Sequence, residues 1–389
     1  MNLDPNAFLK RKGIKRLLKA LDAKQGTARF VGGAVRDLLL GETPGDLDLA
    51  TNLQPDEVVR RLEEAGIKAV PTGIEHGTVT AVSSGTVVEV TSLRSDVSTD
   101  GRRATVAFTG DWARDASRRD FTINALYADP FSGELFDYFG GLDDLRTRTV
   151  RFIGEPLQRI AEDHLRILRY FRFHARYGHG EPDQHALEAC VERANDLMAL
   201  SRERIADELL KLLSLDDPTP TVRLMEERGL FAPVVPEVSG VDRLGGLVVA
   251  ERAAGFKADS LRRLAALLPA DPVTADRIAA RLKLSNKAKK RLASAADPEL
   301  GLNPRALAYR IGTEGAVDRL LLAGRTAEAR AVAKWTPPRM PIGGGDVIAR
   351  GVAEGPEVAR TLRRIENSWE AAGFPTGEAF EQLVRDALR

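Results

Sequence analysis

The sequence is poor in residues that form covalent or metal cross-links. Among its 389 residues are one cysteine, Cys190, and five scattered histidines with no His-x-His or His-Asp pair. A single cysteine excludes an intramolecular disulfide and a cysteine-cluster metal site, and it predicts a reducing compartment. The histidine pattern likewise argues against a histidine-ligated metal domain.

Long apolar runs are also missing. The hydrophobic content of 43% supports buried cores, but no run approaches the ~20 apolar residues that a membrane span needs. The first residues lack the charged-then-apolar pattern of a secretory signal. We therefore expect a cytoplasmic chain without membrane contact, and its length predicts two or more domains. The sequence implies no stable protein partner.

A pair of glycines begins the first motif that could carry chemistry. Residues 28–31 are typical of a short buried strand, and residues 34–40 of a helix that Gly41 ends. Between them, Gly33 would let the backbone approach a phosphate, and the start of the helix favours an anion. Arg36, on the first helical turn, would lie near the same phosphate. An ordinary strand-to-helix connection explains the glycines equally well.

Two carboxylates follow on a predicted strand. Residues 46–50 alternate polar and apolar side chains, so Asp46 and Asp48 project to one face. Carboxylates so close repel each other unless a cation lies between them, and their oxygens suit Mg²⁺ shared with phosphate. The alternative is the polar face of an edge strand. Glu89, among the valines of another strand, is a weaker candidate for a metal ligand and equally a candidate for an outward salt bridge.

Two arginine-bearing segments come later. Residues 118–126 follow a helix predicted at 112–117. Because buried arginines need a partner or a ligand, we expect Asp120 and Asn124 to brace the domain while Arg119 reaches phosphate. The second segment lies in an amphipathic helix predicted over residues 159–177. On that helix Asp163 and Arg166 are three residues apart and would be neighbours. A plain intrahelical salt bridge is the simplest interpretation of that pair.

Taken together, these segments resemble the class II nucleotidyltransferase family of tRNA CCA-adding enzymes and poly(A) polymerases, and are most like a bacterial CCA-adding enzyme. The shared patterns are Gly-Gly-x-Val-Arg-Asp with Asp-x-Asp, Arg-Arg-Asp-Phe-Thr-x-Asn-Ala, and Glu-Asp-x-x-Arg-x-x-Arg-x-x-Arg-Phe. Residues 201–213 add Ser-x-Glu-Arg-Ile-x-x-Glu-Leu. The resemblance covers about half of the chain.

The resemblance implies an α+β architecture. A nucleotidyltransferase head with a small mixed sheet and flanking helices would precede an all-helical neck, body and tail. The sequence agrees in mixing strands with helices early and becoming helical from Pro156 on. The expected domains are the catalytic head at 1–154, a base-recognising neck at 155–214, a body at 215–334 and a tRNA-binding tail at 335–389.

The resemblance also implies the roles of individual residues. Asp46 and Asp48 match the catalytic carboxylates that bind Mg²⁺. The positions that match nucleotide-binding residues are Gly33, Arg36, Arg119, Asp163, Arg166, Arg169 and Arg172.

A carboxylate and a guanidinium can together select bases without a template. Both cytosine and adenine present an exocyclic amine beside a ring acceptor, whereas guanine and uracil reverse this polarity. Asp163 and Arg166 could therefore accept C and A and reject G and U. Each three-residue step along a helix falls about 60° short of a full turn. We therefore expect Arg172 to contact phosphate, RNA or a structural acid instead of the base.

The implied reaction adds C, C and A to the 3′ end of tRNA from CTP and ATP, with two-metal catalysis and release of pyrophosphate. The expected partners are tRNA, held at its 3′ end and elbow, and the two nucleotides. Residues 94–110 are interpreted as a full-length mobile loop, which favours the complete activity over a CC-only or A-only enzyme. A poly(A) polymerase is a further alternative, and so is a catalytically silent RNA-binding relative, against which Asp46 and Asp48 argue.

The net charge of only +1 favours an enzyme that reads RNA shape over a protein that coats RNA, because phosphate neutralisation sets such affinity. Outside the motifs, residues 281–291 are the best candidate for a localised basic surface that binds RNA. A solvated helix face explains this stripe at least as well.

Overall fold

A computed structural model describes residues 3–99, 104–301 and 303–389, and the chain divides into two compact units. The first unit comprises residues 1–201 and 228–234, and the second comprises residues 202–227 and 235–389. These limits differ from the four-part division into head, neck, body and tail. That division stays a prediction.

A mixed seven-stranded sheet forms the centre of the first unit, as expected for an α+β head. Its strands run in the order β3-β4-β5-β2-β1-β8-β9, and only β2 and β5 pair in parallel. A separate two-stranded sheet joins β6 and β7. The strands are β1 Ala28–Val31, β2 Asp48–Thr51, β3 Lys68–Gly73, β4 Thr78–Ser83, β5 Thr86–Ser92, β6 Arg94–Thr99, β7 Ala104–Phe108, β8 Leu126–Ala128 and β9 Leu135–Asp137.

The described part of the first unit also contains α-helices and short 3₁₀ turns. The helices are α1 Asn6–Leu9, α2 Ile14–Ala20, α3 Gly33–Leu39, α4 Pro55–Glu64, α5 Trp112–Ser117, α6 Gly141–Thr147, α7 Pro156–Glu162, α8 Arg166–Tyr177 and α9 Gln184–Glu192. Short 3₁₀ turns lie at Ala23–Gln25, Ile74–His76, Thr122–Asn124 and Ala194–Ala199. The predicted strand at 28–31 and helix at 112–117 are confirmed to the residue.

The two faces of the sheet differ, because side chains alternate along each strand. On the covered face, Val79, Ala81, Val88 and Val90 are buried, and helices α2 and α4 pack over this part of the sheet. The opposite, open face carries Glu89, which falls between Val88 and Val90. The sequence alternation in these strands therefore separates an apolar core from a polar surface.

The interpretation of residues 94–110 as a loop is wrong for most of the segment. Strands β6 and β7 pair antiparallel, with Arg94 opposite Phe108 and Thr99 opposite Ala104. Valine, threonine and phenylalanine favour extended backbone, and cross-strand pairing decides the outcome in spite of the polar composition. Residues 100–103 lie outside the described residues.

The prediction of one helix over residues 159–177 is also wrong. Helix α7 ends at Glu162 and α8 begins at Arg166. Between them Asp163 is extended, with φ of −153° and ψ of 105°, and its Oδ1 accepts a hydrogen bond from the backbone N–H of Leu165 at 3.1 Å. An aspartate that binds backbone N–H groups in this way offers the chain an alternative to the helix.

The second unit is helical among its described residues. Its helices are α10 Arg202–Leu213, α11 Thr219–Glu227, α12 Val241–Ala254, α13 Ser260–Leu267, α14 Pro272–Arg281, α15 Asn286–Ala295, α16 Pro304–Leu322, α17 Thr326–Ala333, α18 Gly344–Ala349, α19 Pro356–Ala371 and α20 Glu378–Leu388. Helix α16 is kinked at Gly312. Across both units, the structure describes no helix that is long and apolar enough to cross a membrane.

Candidate active site on the open face of the sheet

The turn from β1 into α3 requires a glycine. Gly32 has φ of 66° and ψ of −126°, a conformation that side chains with a Cβ rarely adopt. Gly33 begins α3, whose seven residues lie one position earlier than predicted. Arg36, on this helix, is buried, and its guanidinium lies 4.0 Å from the ring centroid of Tyr177. The turn brings Gly33 and Arg36 together, while their binding of phosphate stays a prediction.

Carboxylates concentrate on the open face beside this turn. Asp48 opens β2 and has Glu89 of β5 as its register partner, and directly paired residues share a face. The strand predicted from residue 46 begins only at Asp48, so the exposed Asp46 lies two residues before β2, next to the buried Leu47. Burial, Glu89 and Asp46 together raise the pKa of Asp48 to about 6, and the guanidinium of Arg119 opposes this rise. A bound cation would relieve the repulsion.

These side chains fit a hard divalent cation. Mg²⁺ is usually held in proteins by one or two carboxylates, with substrate phosphates and water completing its shell. Asp46 and Asp48 match that donor set. Among the residues that the structure describes, no three Asp, Glu, His or Cys side chains converge on one point as a ready-made metal site. Glu89, which lies on the same face but is exposed, stays the weaker candidate.

Arg119 lies close to both the glycine turn and the carboxylates. Its Nη1 atom would be 3.4 Å from a Cβ built on Gly32, and its charge is felt by Asp48. Its Nη2 atom pairs with Asp115 at 3.1 Å. Burial alone would raise the pKa of Asp115, but the neighbouring guanidinium of Arg119 holds this pKa at about 2. Arg119 is therefore a fixed cation at the edge of the carboxylate cluster.

A chain of hydrogen bonds joins helix α3 to helix α8. Arg36 donates to Asn124 Oδ1, Asn124 Nδ2 donates to Asp120 Oδ1 at 2.9 Å, and Arg169 Nε donates to Asp120 Oδ2 at 2.9 Å. Burial opposes ionisation of Asp120, yet Arg169 and Asn124 lower its pKa to about 2. The prediction that Asp120 and Asn124 brace the domain is confirmed.

The alternative interpretation of Asp163 and Arg166 as an intrahelical salt bridge is wrong, because the helix is interrupted between them. Arg166 Nη1 donates instead to Glu162 Oε2 at 2.5 Å and to the carbonyl of Arg159 at 2.8 Å. Arg172 lies on α8 with its guanidinium 4.7 Å from the ring centroid of Phe173. The base-reading pair and the contact of Arg172 with phosphate or RNA stay predictions.

Two residues of this site were missed by sequence reasoning. The Tyr127 hydroxyl donates to Asp115 Oδ2 at 2.7 Å, and Arg119 Nε donates to the same hydroxyl at 3.3 Å. Asp115 precedes Arg119 by four residues, a spacing that signals a neighbour at a helix end. Tyr127 gave no such signal, because only the sheet brings it to the arginine.

Two protein-family models match the chain. Residues 28–151 match the Poly A polymerase head domain, and residues 181–240 match the probable RNA and SrmB-binding site of polymerase A. The first match contains the glycine turn, the carboxylates and Arg119.

Curated relatives match over different lengths. The mitochondrial CCA tRNA nucleotidyltransferase 1 of Mus musculus is 36% identical over 382 residues, which cover 93% of this chain and 87% of the relative. The CCA-adding enzyme of Staphylococcus epidermidis is 36% identical over 219 residues, covering 56% of this chain and 53% of the relative.

Solved structures share the fold over almost the whole chain. The Bacillus stearothermophilus CCA-adding enzyme in complex with CTP is 28% identical, with a TM-score of 0.77 over 97% of this chain and 98% of that one. The Thermotoga maritima CCA-adding enzyme complexed with tRNA is 19% identical, with a TM-score of 0.71, covering 97% of this chain and 98% of that one. This second likeness concerns the fold alone.

Proposed function

Because the chain belongs to the family of CCA-adding tRNA nucleotidyltransferases and poly(A) polymerases, we propose that it completes the 3′ end of tRNA. It adds C, C and A in turn from CTP and ATP, without a template, and releases pyrophosphate. The mammalian relative, which matches over most of both chains, is a CCA tRNA nucleotidyltransferase, and this supports CCA addition over the synthesis of a poly(A) tail.

One observation carries the catalytic assignment. Asp48 and Glu89 are register partners on the open face, and the pKa of Asp48 is raised to about 6 by burial and by its carboxylate neighbours. Repulsion of this kind costs folding free energy and is a feature of functional sites. Asp46 and Asp48 are accordingly the catalytic carboxylates of the proposal.

Members of this enzyme family depend on a metal ion, and we assign Mg²⁺ to Asp46 and Asp48, with Glu89 as a weaker third ligand. When bound, such an ion lowers the pKa of the attacking 3′-hydroxyl and stabilises charge on the phosphates. The protein side chains orient and neutralise the triphosphate. Gly33 gives it backbone access, and Arg36 and Arg119 supply positive charge that is already fixed in place.

Base selection falls to Asp163 and Arg166 in this proposal, and Arg169 and Arg172 supply further nucleotide contacts. Arg166 is anchored by Glu162 and by a backbone carbonyl, and fixed polar groups are what rejects a base of the wrong polarity. The bond from Arg169 to Asp120 connects this helix to the phosphate side of the site. The helix assigned to base selection and the residues assigned to phosphate binding are thus joined by one chain of hydrogen bonds.

The helical regions that follow the head also take part in the proposed function. We assign base recognition to residues 155–214, the body to 215–334 and the tRNA elbow to the tail at 335–389. Cytoplasmic location belongs to the proposal as well, although the mammalian relatives are mitochondrial enzymes.

The deciding experiment uses tRNA that lacks its 3′ end. The protein is incubated with this tRNA and CTP alone, ATP alone, or both, and the products are resolved to single nucleotides. The proposal expects addition of two nucleotides with CTP alone and of three with both. A long ladder with ATP would establish the poly(A) polymerase instead, and a stop after C-C with both nucleotides would establish the partial enzyme.

A further inference from the structure

A strongly basic segment lies near the beginning of the chain, and its net charge equals that of the stripe at residues 281–291. Residues 10–24 contain seven of the 57 lysines and arginines but only one of the 56 acidic residues. This segment therefore carries a charge of +6, and the rest of the chain carries −5. Protein surfaces normally mix charges of both signs, so a segment with seven cations and one acidic residue is unusual in a nearly neutral chain.

The arginines of this segment are used to hold the fold. Arg11 donates to the carbonyl of Gly45 at 3.1 Å, and Arg16 donates to the carbonyls of Ala65 at 3.0 Å and Gly66 at 3.2 Å, at the end of α4. These bonds explain the arginines without any ligand. The lysines need a separate account.

Four lysines of the segment are exposed and form no ion pair with any residue that the structure describes: Lys10, Lys12, Lys15 and Lys19. On α2, Lys15 and Lys19 are four residues apart and therefore adjacent. Lys24 is exposed too, with its Nζ atom 5.8 Å from the ring centroid of Phe131. We call these five side chains the lysine surface.

The stripe at residues 281–291 shows that a basic segment need not be left unpaired. Most of its cations are neutralised within the second unit: Arg281 by Glu237, Lys283 by Glu203, Lys289 by Asp276, and Arg291 by Asp259 and Asp318. Lys287 and Lys290 alone of the stripe's cations have no such partner among the described residues. Most cations of this stripe are therefore neutralised within the protein, whereas Lys10, Lys12, Lys15 and Lys19 are not paired among the described residues.

Helix α2, which carries Lys15 and Lys19, packs on the face of the sheet opposite to the carboxylate cluster. The carbonyl of Gly13, just before α2, accepts a hydrogen bond from the Ser83 hydroxyl at 2.9 Å. Along β4, Ser83 shares the face of Ala81, whose partner is Val88, whereas Glu89 and Asp48 share the other face. Lys15 and Lys19 of α2 are therefore separated from Asp48 and Glu89 by the sheet, whereas Arg11, between Lys10 and Lys12, contacts Gly45 next to Asp46.

The chemistry of this surface selects one class of ligand. Its helix buries its apolar side completely, since Ile14, Leu17 and Leu18 have no exposed surface, so it has no apolar face to insert into a bilayer. Among the described residues, no exposed large hydrophobic side chain lies between positions 3 and 27, which leaves a protein partner without the usual anchors. Flexible lysines without such anchors suit the phosphates of a nucleic acid backbone.

We propose that Lys10, Lys12, Lys15, Lys19 and Lys24 form a docking surface for the RNA phosphate backbone, in addition to the residues assigned to catalysis. It binds RNA without reading its sequence and raises the affinity for substrate, and it leaves the chemical step unchanged. The choice of RNA over DNA rests on the proposed function.

The test compares two matched double variants. Lys15→Gln/Lys19→Gln removes two adjacent charges from the lysine surface, and Lys287→Gln/Lys290→Gln removes two from the second unit. The Kd for tRNA lacking its 3′ end is measured from about 50 to about 200 mM salt, together with kcat for CTP incorporation at saturating tRNA. Each lost phosphate contact lowers the slope of log Kd against log salt by about 1.

The proposal expects the Lys15→Gln/Lys19→Gln slope to fall by about 1 to 2 with Kd weakened roughly tenfold, an unchanged kcat, and near wild-type binding by Lys15→Arg/Lys19→Arg. Equal losses of tRNA affinity in both Gln variants would show that net charge alone causes the effect, and this would overturn the proposal. Retention of the wild-type slope by a protein that still extends tRNA would overturn it and leave the proposed function standing. If Lys15→Gln/Lys19→Gln lowered the salt slope although the wild-type protein extended no tRNA, the docking surface would be supported and the proposed CCA addition would be rejected. Binding of each variant to phosphatidylserine vesicles is measured as well. If Lys15→Gln/Lys19→Gln lost vesicle binding while its salt slope for tRNA stayed unchanged, a membrane would be the ligand and the proposal would be overturned.

Discussion

The carboxylates of the first unit and the buried ion network of the second unit show two treatments of the same electrostatic problem. In the second unit, Glu251 accepts hydrogen bonds from Arg262 and Arg263 at 2.8 Å each, and Asp318 accepts from Arg262 and Arg291 at 2.8 Å each. Burial still raises the pKa of Glu251 despite its two guanidinium partners, so desolvation is costly even when the charges are paired.

In the first unit, burial and the neighbouring carboxylates of Glu89 and Asp46 raise the pKa of Asp48 to about 6. The network of the second unit is closed within the protein, whereas the repulsion in this cluster would be relieved by the Mg²⁺ of the proposed function. Buried charge therefore does not by itself mark a functional site. Like charges on one face, next to a fixed cation such as Arg119, distinguish the candidate site from a structural network.

The largest expected effect is on catalysis. Asp48→Asn should lower the rate of nucleotide incorporation by about 10³-fold or more, because metal stabilisation of the transition state contributes several kcal/mol. Binding of tRNA should stay near wild type, and the first unit should not lose stability, since the variant removes repulsion. Single-turnover incorporation and thermal unfolding measure the two effects. Near-normal incorporation in Mg²⁺ would reject the assignment, and Asp46→Ala should behave like Asp48→Asn.

A large loss of stability is expected from the closed network. Asp318→Ala leaves buried guanidinium groups without one of their partners and should cost about 3–5 kcal/mol in the free energy of unfolding of the second unit. Asp276→Ala, which removes only the pair with Lys289 at the surface, is the control and should cost at most about 1 kcal/mol. Hydrogen exchange of the second-unit helices measures the difference. Similar protection in both variants would contradict this account.

An intermediate effect is expected when the pH is lowered. The pKa of Asp120 is about 2 in the folded protein against an ordinary value of 3.8. The stability it contributes is therefore present above about pH 4 and is lost as the pH falls towards 2, by about 2 kcal/mol in total. Asp120→Asn should flatten this part of the unfolding profile of the first unit. The exposed Asp143→Asn should keep the wild-type pH dependence, and an unchanged profile in Asp120→Asn would count against the bracing role.

The smallest effect is expected at the far end of the arginine row. Arg172→Lys should keep the selection of C and A over G and U, because the spacing along α8 turns this residue away from Arg166. Incorporation from each of the four nucleoside triphosphates, presented singly, measures the selectivity. Use of UTP or GTP by this variant would place Arg172 in the base-reading set.

Local patterns predicted the elements whose cause is local. Strand β1, helix α5 and the glycine turn at Gly32 lie where the sequence places them, because propensity and burial agree there. The helix over 159–177 failed because the carboxylate of Asp163 binds a backbone N–H, a competition that periodicity does not register. Residues 94–110 failed because a strand needs a partner strand, and the pairing of β6 with β7 is not visible in the composition.

The sequence alone determined which chemical groups are available: two aspartates in alternation, a glycine turn, arginines at fixed spacing, and a family resemblance that ordered them. Only the tertiary structure decided which of these groups meet. It placed Glu89 beside Asp48 through strand register, anchored Arg119 on Asp115 and Tyr127, and paired Arg166 with Glu162. It also neutralised one basic segment and left another open. The physical reason is that charges act over a few ångströms in space, and distance along the chain does not report that separation.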